Sequence, residues 1–225
     1  MWPPQRIGHE WDDLKVQDAR RIQESLQQRV RIKDAFGKLR RIAGVDVGFE
    51  ANNTITRAAV AVLSFPGLEL VEHAIARRET RFPYVPGYLS FREIPALVDA
   101  LRQLAKAPDM LLCDGQGIAH PRRFGIACHL GVLTDLPAIG VAKSRLCGDY
   151  TEPGEEKGEA SPLMDGDEQL GWVLRTRRRV KPLFVSPGHR IGHESCRRIV
   201  MQCLSRYRLP ETTRQAHRLA SGPPG

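Results

Sequence analysis

The chain has 225 residues, 41% hydrophobic and 27% charged, which is enough apolar content to bury one core without covalent staples. Five cysteines with no C-x-x-C pair argue against a zinc ribbon or a disulfide framework and read as reduced, mostly buried thiols. The net charge of +8 points to an anionic partner, and no apolar run approaches the roughly 20 residues of a membrane span.

Residues 1–6 carry no apolar leader, so a cytoplasmic monomer with no membrane association is the expectation. Residues 10–32 place Trp11, Leu14, Ile22, Leu26 and Val30 among charges at close to helical spacing, which predicts an amphipathic helix packed on the body. Three extended runs follow at 42–49, 54–65 and 69–79. Turn residues separate them at Asn52-Asn53 and Pro66-Gly67, predicting an antiparallel three-strand meander. A loop rich in proline and aromatics covers 81–89. The next helix opens with Ser90 as N-cap and Glu93 at N3, a capping box, and Pro95 falls in or near its first turns.

Residues 109–114 form a short apolar run that ends on Asp114 and enters Gly115-Gln116-Gly117, the pattern of a buried strand leading into a loop. A helix at 123–133 and a buried strand at 137–141 come next. The segment 148–168, full of Gly, Pro and Glu, reads as a mobile acidic surface loop or insertion. Strands at 170–177 and 183–186, helices at 193–207 and 211–220, and a flexible tail at 221–225 complete the chain. The order implies a single α/β domain over 1–225, with a mixed sheet of antiparallel meander plus parallel strands, flanked by helices.

The positive charge is local. Residues 171–218 hold twelve Lys and Arg against two acids, whereas 148–170 hold eight acids against Lys157 alone. A basic face suits nucleic acid, although charge by itself does not separate nucleic acid from an acidic membrane. Arg175, Arg177 and Arg179 alternate on a predicted strand and share one face, turned either to a phosphate backbone, with Lys181 nearby, or to solvent.

Asp46 interrupts the apolar run Ile42-Ala43-Gly44-Val45-Asp46-Val47. It is either an exposed pleat position or a buried carboxylate that needs a partner or a cation. Asp114 at the end of its strand is either an ordinary turn residue or an active-site group, since such groups collect where parallel strands end. Glu93 taken alone is a helix cap. Together, two strand carboxylates and one helix carboxylate suit a hard divalent cation such as magnesium. In phosphoryl transfer such cations generate the nucleophile and stabilise the leaving oxygen.

Five segments then resemble the endonuclease V family. They are Ala43-Gly44-Val45-Asp46-Val47, the run from Pro83 to Glu93, the run from Asp114 to Arg122, Ile139-Gly140-Val141-Ala142-Lys143-Ser144, and the run from Leu209 to His217. The resemblance implies a ribonuclease-H-like fold. It also implies a metal-dependent repair endonuclease that recognises deoxyinosine (hypoxanthine) and nicks at the second phosphodiester bond 3′ to the lesion, leaving a 3′-hydroxyl and a 5′-phosphate. It assigns Asp46, Asp114 and Glu93 to magnesium, with manganese as a substitute. Lys143 falls to the scissile phosphate and His217 to a place beside the metal. It makes Tyr84 the wedge that unstacks the duplex, on a loop stiffened by Pro83 and Pro86, and puts Gly87, Leu89 and Gly115 at the everted base. His120 is expected near the metal shell, with Arg122 and Arg123 on phosphates. Ser186 to His189 is expected to be a loop, which makes a zinc site from His189 and His193 a poor reading. The partner implied is DNA containing deaminated bases. An inosine-specific endoribonuclease with the same catalytic set, or a non-catalytic nucleic-acid-binding protein, remains an alternative.

Overall fold

The computed structural model describes Trp11 and residues 14–222. The sequence expectations for residues 1–6, for residues 10, 12 and 13 of the leading helix and for 223–225 of the tail lie outside these. Eight strands form one sheet in the order β3-β2-β1-β4-β5-β8-β7-β6. Strands β1 (Arg41–Glu50), β2 (Ile55–Ser64) and β3 (Leu70–Glu79) are the antiparallel meander expected. Strand β4 (Met110–Asp114) runs parallel to β1, and β5 (Ala138–Ala142) parallel to β4. Strands β6 (Ala160–Asp165), β7 (Glu168–Leu174) and β8 (Leu183–His189) add an antiparallel wing beyond β5. The sheet is therefore mixed, as the ribonuclease-H-like expectation required.

Helices α1 (Val16–Gln27), α2 (Leu89–Leu101) and α3 (Ile126–Thr134) cover one face. Helices α4 (His193–Gln202) and α5 (Glu211–Ala220) cover the other. Alternation along the strands divides the core accordingly: Ala43, Val45, Leu111 and Cys113 pack with α2 and α3, while Ile42, Met110 and Leu112 pack with α4. Strand β2 is buried along nearly its whole length because α2 lies on one side of it and α5 on the other. All five cysteines are free, as expected, and Cys147 alone of them is not buried. Among the described residues no helix is long and apolar enough to cross a membrane.

Several boundaries differ from the sequence reading, each for a physical reason. Helix α1 spans 16–27, shorter than 10–32, although Leu14, Val30 and Ile32 outside it also pack on the body; Ala19, Gln23 and Leu26 are its buried side chains. Helix α2 starts at Leu89 with Tyr88 as N-cap, so Ser90 is not a cap and the capping box does not form. Instead the Ser90 hydroxyl bonds Nδ1 of buried His129 at 3.0 Å. Pro95 is the seventh residue of α2, in its second turn. The acidic segment 148–168 is not one irregular loop, since its second half forms β6 and the turn into β7.

The acids of that segment hold two of the three arginines predicted to meet nucleic acid, Arg175 and Arg179, and also Arg178. Glu152 pairs with Arg175, Glu155 with Arg179 and Glu156 with Arg178, at 2.8, 2.8 and 2.7 Å. Strand β7 also ends at Leu174, so Arg175, Arg177 and Arg179 do not alternate on a strand, and Arg175 is buried. In the same region β8 continues to His189, so 186–189 is strand and not loop.

Helix α5 makes backbone contact with β1. A Cβ on Gly44 would sit 2.0 Å from the Thr212 carbonyl oxygen, and one on Gly48 would sit 2.4 Å from that of Ala220. Gly44→Ala should therefore displace α5 and destabilise the protein by about 3 kcal/mol through overpacking. Gly37→Ala, with nothing within 4 Å of the added carbon, should leave the thermal midpoint unchanged. Equal midpoints for the two variants in a melting experiment would contradict this account of the α5 contact.

Candidate active site

Strands β1 and β4 pair in register up to Val45 opposite Cys113. Asp46 and Asp114 occupy the next position on each strand, so parallel pairing alone brings two carboxylates side by side. Both point to the α5 face, by alternation from Ile42 and Met110. Gly44 and Gly48 flank Asp46 on that face and let α5 approach closely enough for His217 to reach it. Nδ1 of His217 donates to Oδ2 of Asp46 at 2.8 Å, and the Val47 backbone N–H donates to Oδ1 at 2.8 Å. Lys143, one residue past the end of β5, forms an ion pair with Oδ2 of Asp114.

Glu93 arrives from α2, which packs on the opposite face. Together with Asp46, Asp114 and the apolar Val45, Val47, Phe49, Leu97 and Ile126 it lines a cavity of about 240 Å³. Burial pushes its carboxyl up to about 8, and the negative charges on Asp46 and Asp114 push the same way. Burial also holds Asp46 above the usual carboxylate range; the Asp114 charge adds to this and the His217 hydrogen bond opposes it. A cluster of carboxyls resisting ionisation is the electrostatic signature of a place that favours a cation.

The donor set fits a hard divalent cation. Asp46, Asp114 and His217 each offer a ligand atom, and the three atoms lie within 4.8 Å of one another. Two carboxylate oxygens and an imidazole nitrogen are ligands that magnesium or manganese accepts. Glu93 is adjacent to the three without belonging to that tightest group.

Beside the carboxylates opens a larger cavity of about 390 Å³. Tyr84, Pro86, Gly87, Leu89, Gly115 and His120 all line it, together with Glu93, Asp114 and Lys143. Tyr84 is 70% exposed, the most exposed of the large hydrophobic side chains described. Three parts of this arrangement differ from the sequence reading. His120 does not serve the carboxylates: its Nε2 bonds the Gly87 carbonyl at 3.1 Å, and burial, with the Arg122 charge, lowers its pKa to about 4. Arg122 is committed to Gln23 and the Gly87 carbonyl, and Arg123 to Asp165 and Glu168, so neither is a free phosphate ligand. The sequence reading also missed Phe124, Arg145 and Leu146 in the cavity wall, and the Ser90–His129 pair behind it. His129 had a visible signal, a titratable side chain in the middle of an otherwise apolar helix.

With this geometry in view, three comparisons with known proteins become informative. A family model for endonuclease V matches residues 24–218. An endonuclease V of Rippkaea orientalis is 57% identical over 206 residues, covering 92% of this chain and 90% of the relative. The crystal structure of endonuclease V from Streptomyces avermitilis superposes with a TM-score of 0.89 at 43% identity, covering 96% of this chain and 95% of that one. The Ciona intestinalis endonuclease V was solved in complex with a 23-mer DNA containing an inosine followed by a ribo-adenosine. It matches with a TM-score of 0.73 at 28% identity, over 91% of this chain and 95% of its own.

The carboxyl cluster makes a pH prediction. Glu93 holds its proton in the folded protein up to about 8, whereas its ordinary value is 4.5. Its burial thus costs stability progressively as pH rises between these values, and costs nothing below 4.5. In chelator, the melting midpoint of Glu93→Gln should gain on that of the unsubstituted protein as pH rises from about 4.5 to about 8. A difference that stayed flat with pH would remove the electrostatic reading of Glu93.

Proposed function

Because the chain belongs to the endonuclease V family, whose members hydrolyse phosphodiester bonds, we propose that it is a divalent-cation-dependent repair nuclease directed by deaminated bases, above all hypoxanthine in deoxyinosine. The nick falls at the second phosphodiester bond 3′ to the lesion and leaves a 3′-hydroxyl and a 5′-phosphate. The single observation that carries this reading is the juxtaposition of the carboxylate cluster with the cavity under Tyr84.

Asp46 and Asp114, with His217 and Glu93 beside them, would hold magnesium, and manganese could substitute. Bound there, such a cation supplies Lewis-acid polarisation of the phosphate and makes water a stronger nucleophile. The protein's own groups do the rest. Tyr84 enters the base stack as an aromatic wedge, on a loop whose backbone Pro83 and Pro86 restrict. The extruded base enters the cavity, where Gly87, Leu89 and Gly115 bring main chain close to its edges. Pairing of hypoxanthine is weak, so extrusion costs least at the lesion. The distance between base pocket and carboxylates then selects which phosphate is cut.

Lys143 places an ammonium beside Asp114, where it can offset charge developing on the phosphate. His217 is half exposed and tied to Asp46 through Nδ1, which leaves Nε2 as the one nitrogen that could meet either the cation or the attacking water. Attack at phosphorus forms the new P–O bond and breaks the bond to O3′. The leaving oxygen picks up a proton and becomes the 3′-hydroxyl.

The ribo-adenosine following inosine in the strand bound by the Ciona relative favours a second reading, in which the same site accepts a ribose next to the lesion. The distinguishing chemistry is the 2′-hydroxyl. Matched DNA and RNA oligonucleotides bearing one inosine, assayed in parallel, separate the two by relative rate.

In the decisive assay, a 5′-labelled inosine duplex is incubated with and without magnesium, and the product ends are mapped. Nicking should require the cation and fall at the second 3′ bond. Asp46→Ala and Asp114→Ala should abolish it while lesion binding in calcium persists. Magnesium-dependent cleavage retained by purified Asp46→Ala would sink the assignment.

A further inference from the structure

Helix α1 forms the bed of the loop that carries Tyr84. Its Ala19 is buried with Phe82 and Phe91, and Ile22, Val85 and Tyr88 pack against the same cluster. Within this apolar surface lies one buried polar side chain of α1, Gln23, which is 1% exposed. Its Nε2 donates to the Gly87 carbonyl at 2.9 Å, and its Oε1 accepts from Nε of Arg122 at 2.6 Å. An arginine has donors only, so Oε1 must face Arg122 and Nε2 must face Gly87. The amide has no alternative orientation that satisfies both partners.

The Gly87 carbonyl is the hub. It also accepts from Nη2 of Arg122 at 2.6 Å and lies 3.1 Å from Nε2 of His120. The Arg122 backbone N–H donates to Nδ1 of His120 at 3.2 Å, which leaves the ring proton on Nε2 for that carbonyl. Three donors thus converge on an oxygen with two lone pairs. Gly87 has φ +81°, and a Cβ there would meet Nη2 of Arg122 at 2.8 Å, so only glycine lets the network close. The Arg122 guanidinium lies 4.2 Å over the Tyr88 ring, adding a second hold on the same loop.

We infer that Gln23 is a positioning residue for base recognition, tying α1 to the Gly87 carbonyl so that the wedge loop and the pocket wall are set before DNA binds. The inference rests on the reading of the cavity under Tyr84 as the base pocket. A wedge transmits force to a base stack only from a stiff support, and Tyr84 projects from the protein with little packing of its own. The loop's stiffness has to come from behind, and the convergence on Gly87 supplies it. Asp46, Asp114 and His217 are held by β1, β4 and α5, to which Gln23 makes no hydrogen bond. Its loss should therefore weaken recognition and leave cation binding intact.

The test uses the full chain with Gln23→Met, which keeps length and loses both hydrogen bonds, and Gln23→Glu, which keeps the acceptor for Arg122 but sets a carboxylate oxygen against the Gly87 carbonyl. Each is assayed for single-turnover nicking in magnesium of a duplex with one inosine. A 2-aminopurine beside the inosine reports unstacking in calcium, and calcium affinity is measured by titration. Both variants should nick about ten- to a hundred-fold more slowly and give a smaller fluorescence rise, with calcium affinity unchanged. A folded variant of either kind with unaltered fluorescence and nicking overturns the inference, as does a loss of nicking matched by loss of calcium binding. Gln23→Glu decides alone if Gln23→Met is unstable. A wild-type protein that shows neither inosine-dependent nicking nor a fluorescence rise overturns the base-pocket reading itself, which is a separate failure.

Discussion

The direct contact between the α5 backbone and β1 is the constraint on which the site depends. Gly44 and Gly48 lie two residues either side of Asp46, and their missing side chains let the carbonyls of Thr212 and Ala220 come against the strand. Any side chain at either position would lift the helix away. His217 would then lose its 2.8 Å hydrogen bond to Asp46, and the ligand group of Asp46, Asp114 and His217 would open. Close packing of backbone on backbone is rigid, because no flexible side chain is available to absorb a shift. Rigidity here has a use: it fixes two carboxylates and an imidazole at spacings that suit a small, geometrically demanding cation.

Electrostatics set the second constraint. Three carboxyls crowd one end of the parallel strands, and burial lifts Glu93 to about 8. Such an arrangement is unfavourable for the fold, and the cluster persists because β1–β4 register, α2 and α5 hold it from both faces of the sheet. Elsewhere the chain neutralises itself. The acids of 148–168 pair with Arg175, Arg178 and Arg179, and Asp165 with Glu168 holds Arg123. The basic surplus of the C-terminal third is therefore smaller at the surface than the sequence suggests.

Recognition and cleavage use different mechanical supports. The carboxylates stand on strand ends and a helix pressed against them, whereas the Tyr84 loop is held from behind by α1 and by Arg122 and His120. The two meet along the cavity wall, where Glu93, Asp114 and Lys143 face the same space as Gly87 and Leu89. That division lets the geometry of base capture be tuned without disturbing the ligands.

The meander, the two parallel strands, the mixed sheet and the three carboxyl residues of the site were legible in the sequence. Hydrophobic alternation and turn residues act locally, and Asp46, Glu93 and Asp114 stand out where apolar patterns break. Other features depended on what packs across space. Ser90 fits a cap by spacing alone, yet buried His129 takes its hydroxyl and the helix begins two residues earlier. Glu93 is moved out of the N-terminal turn by the same shift and lies half-buried beside Asp46 and Asp114. The acidic segment lacked apolar periodicity, yet its second half is a strand because β7 offers an edge to pair with. Arg122 and Arg123 looked like phosphate ligands until tertiary contacts gave them Gln23, Gly87, Asp165 and Glu168 as partners. The sequence by itself determined the order of elements and the identity of the chemical groups, because these follow from short-range periodicity and residue type. Only the tertiary structure decided which charges are spent within the fold and which face a substrate, because partners far apart in the chain compete for each polar group and only packing settles the outcome.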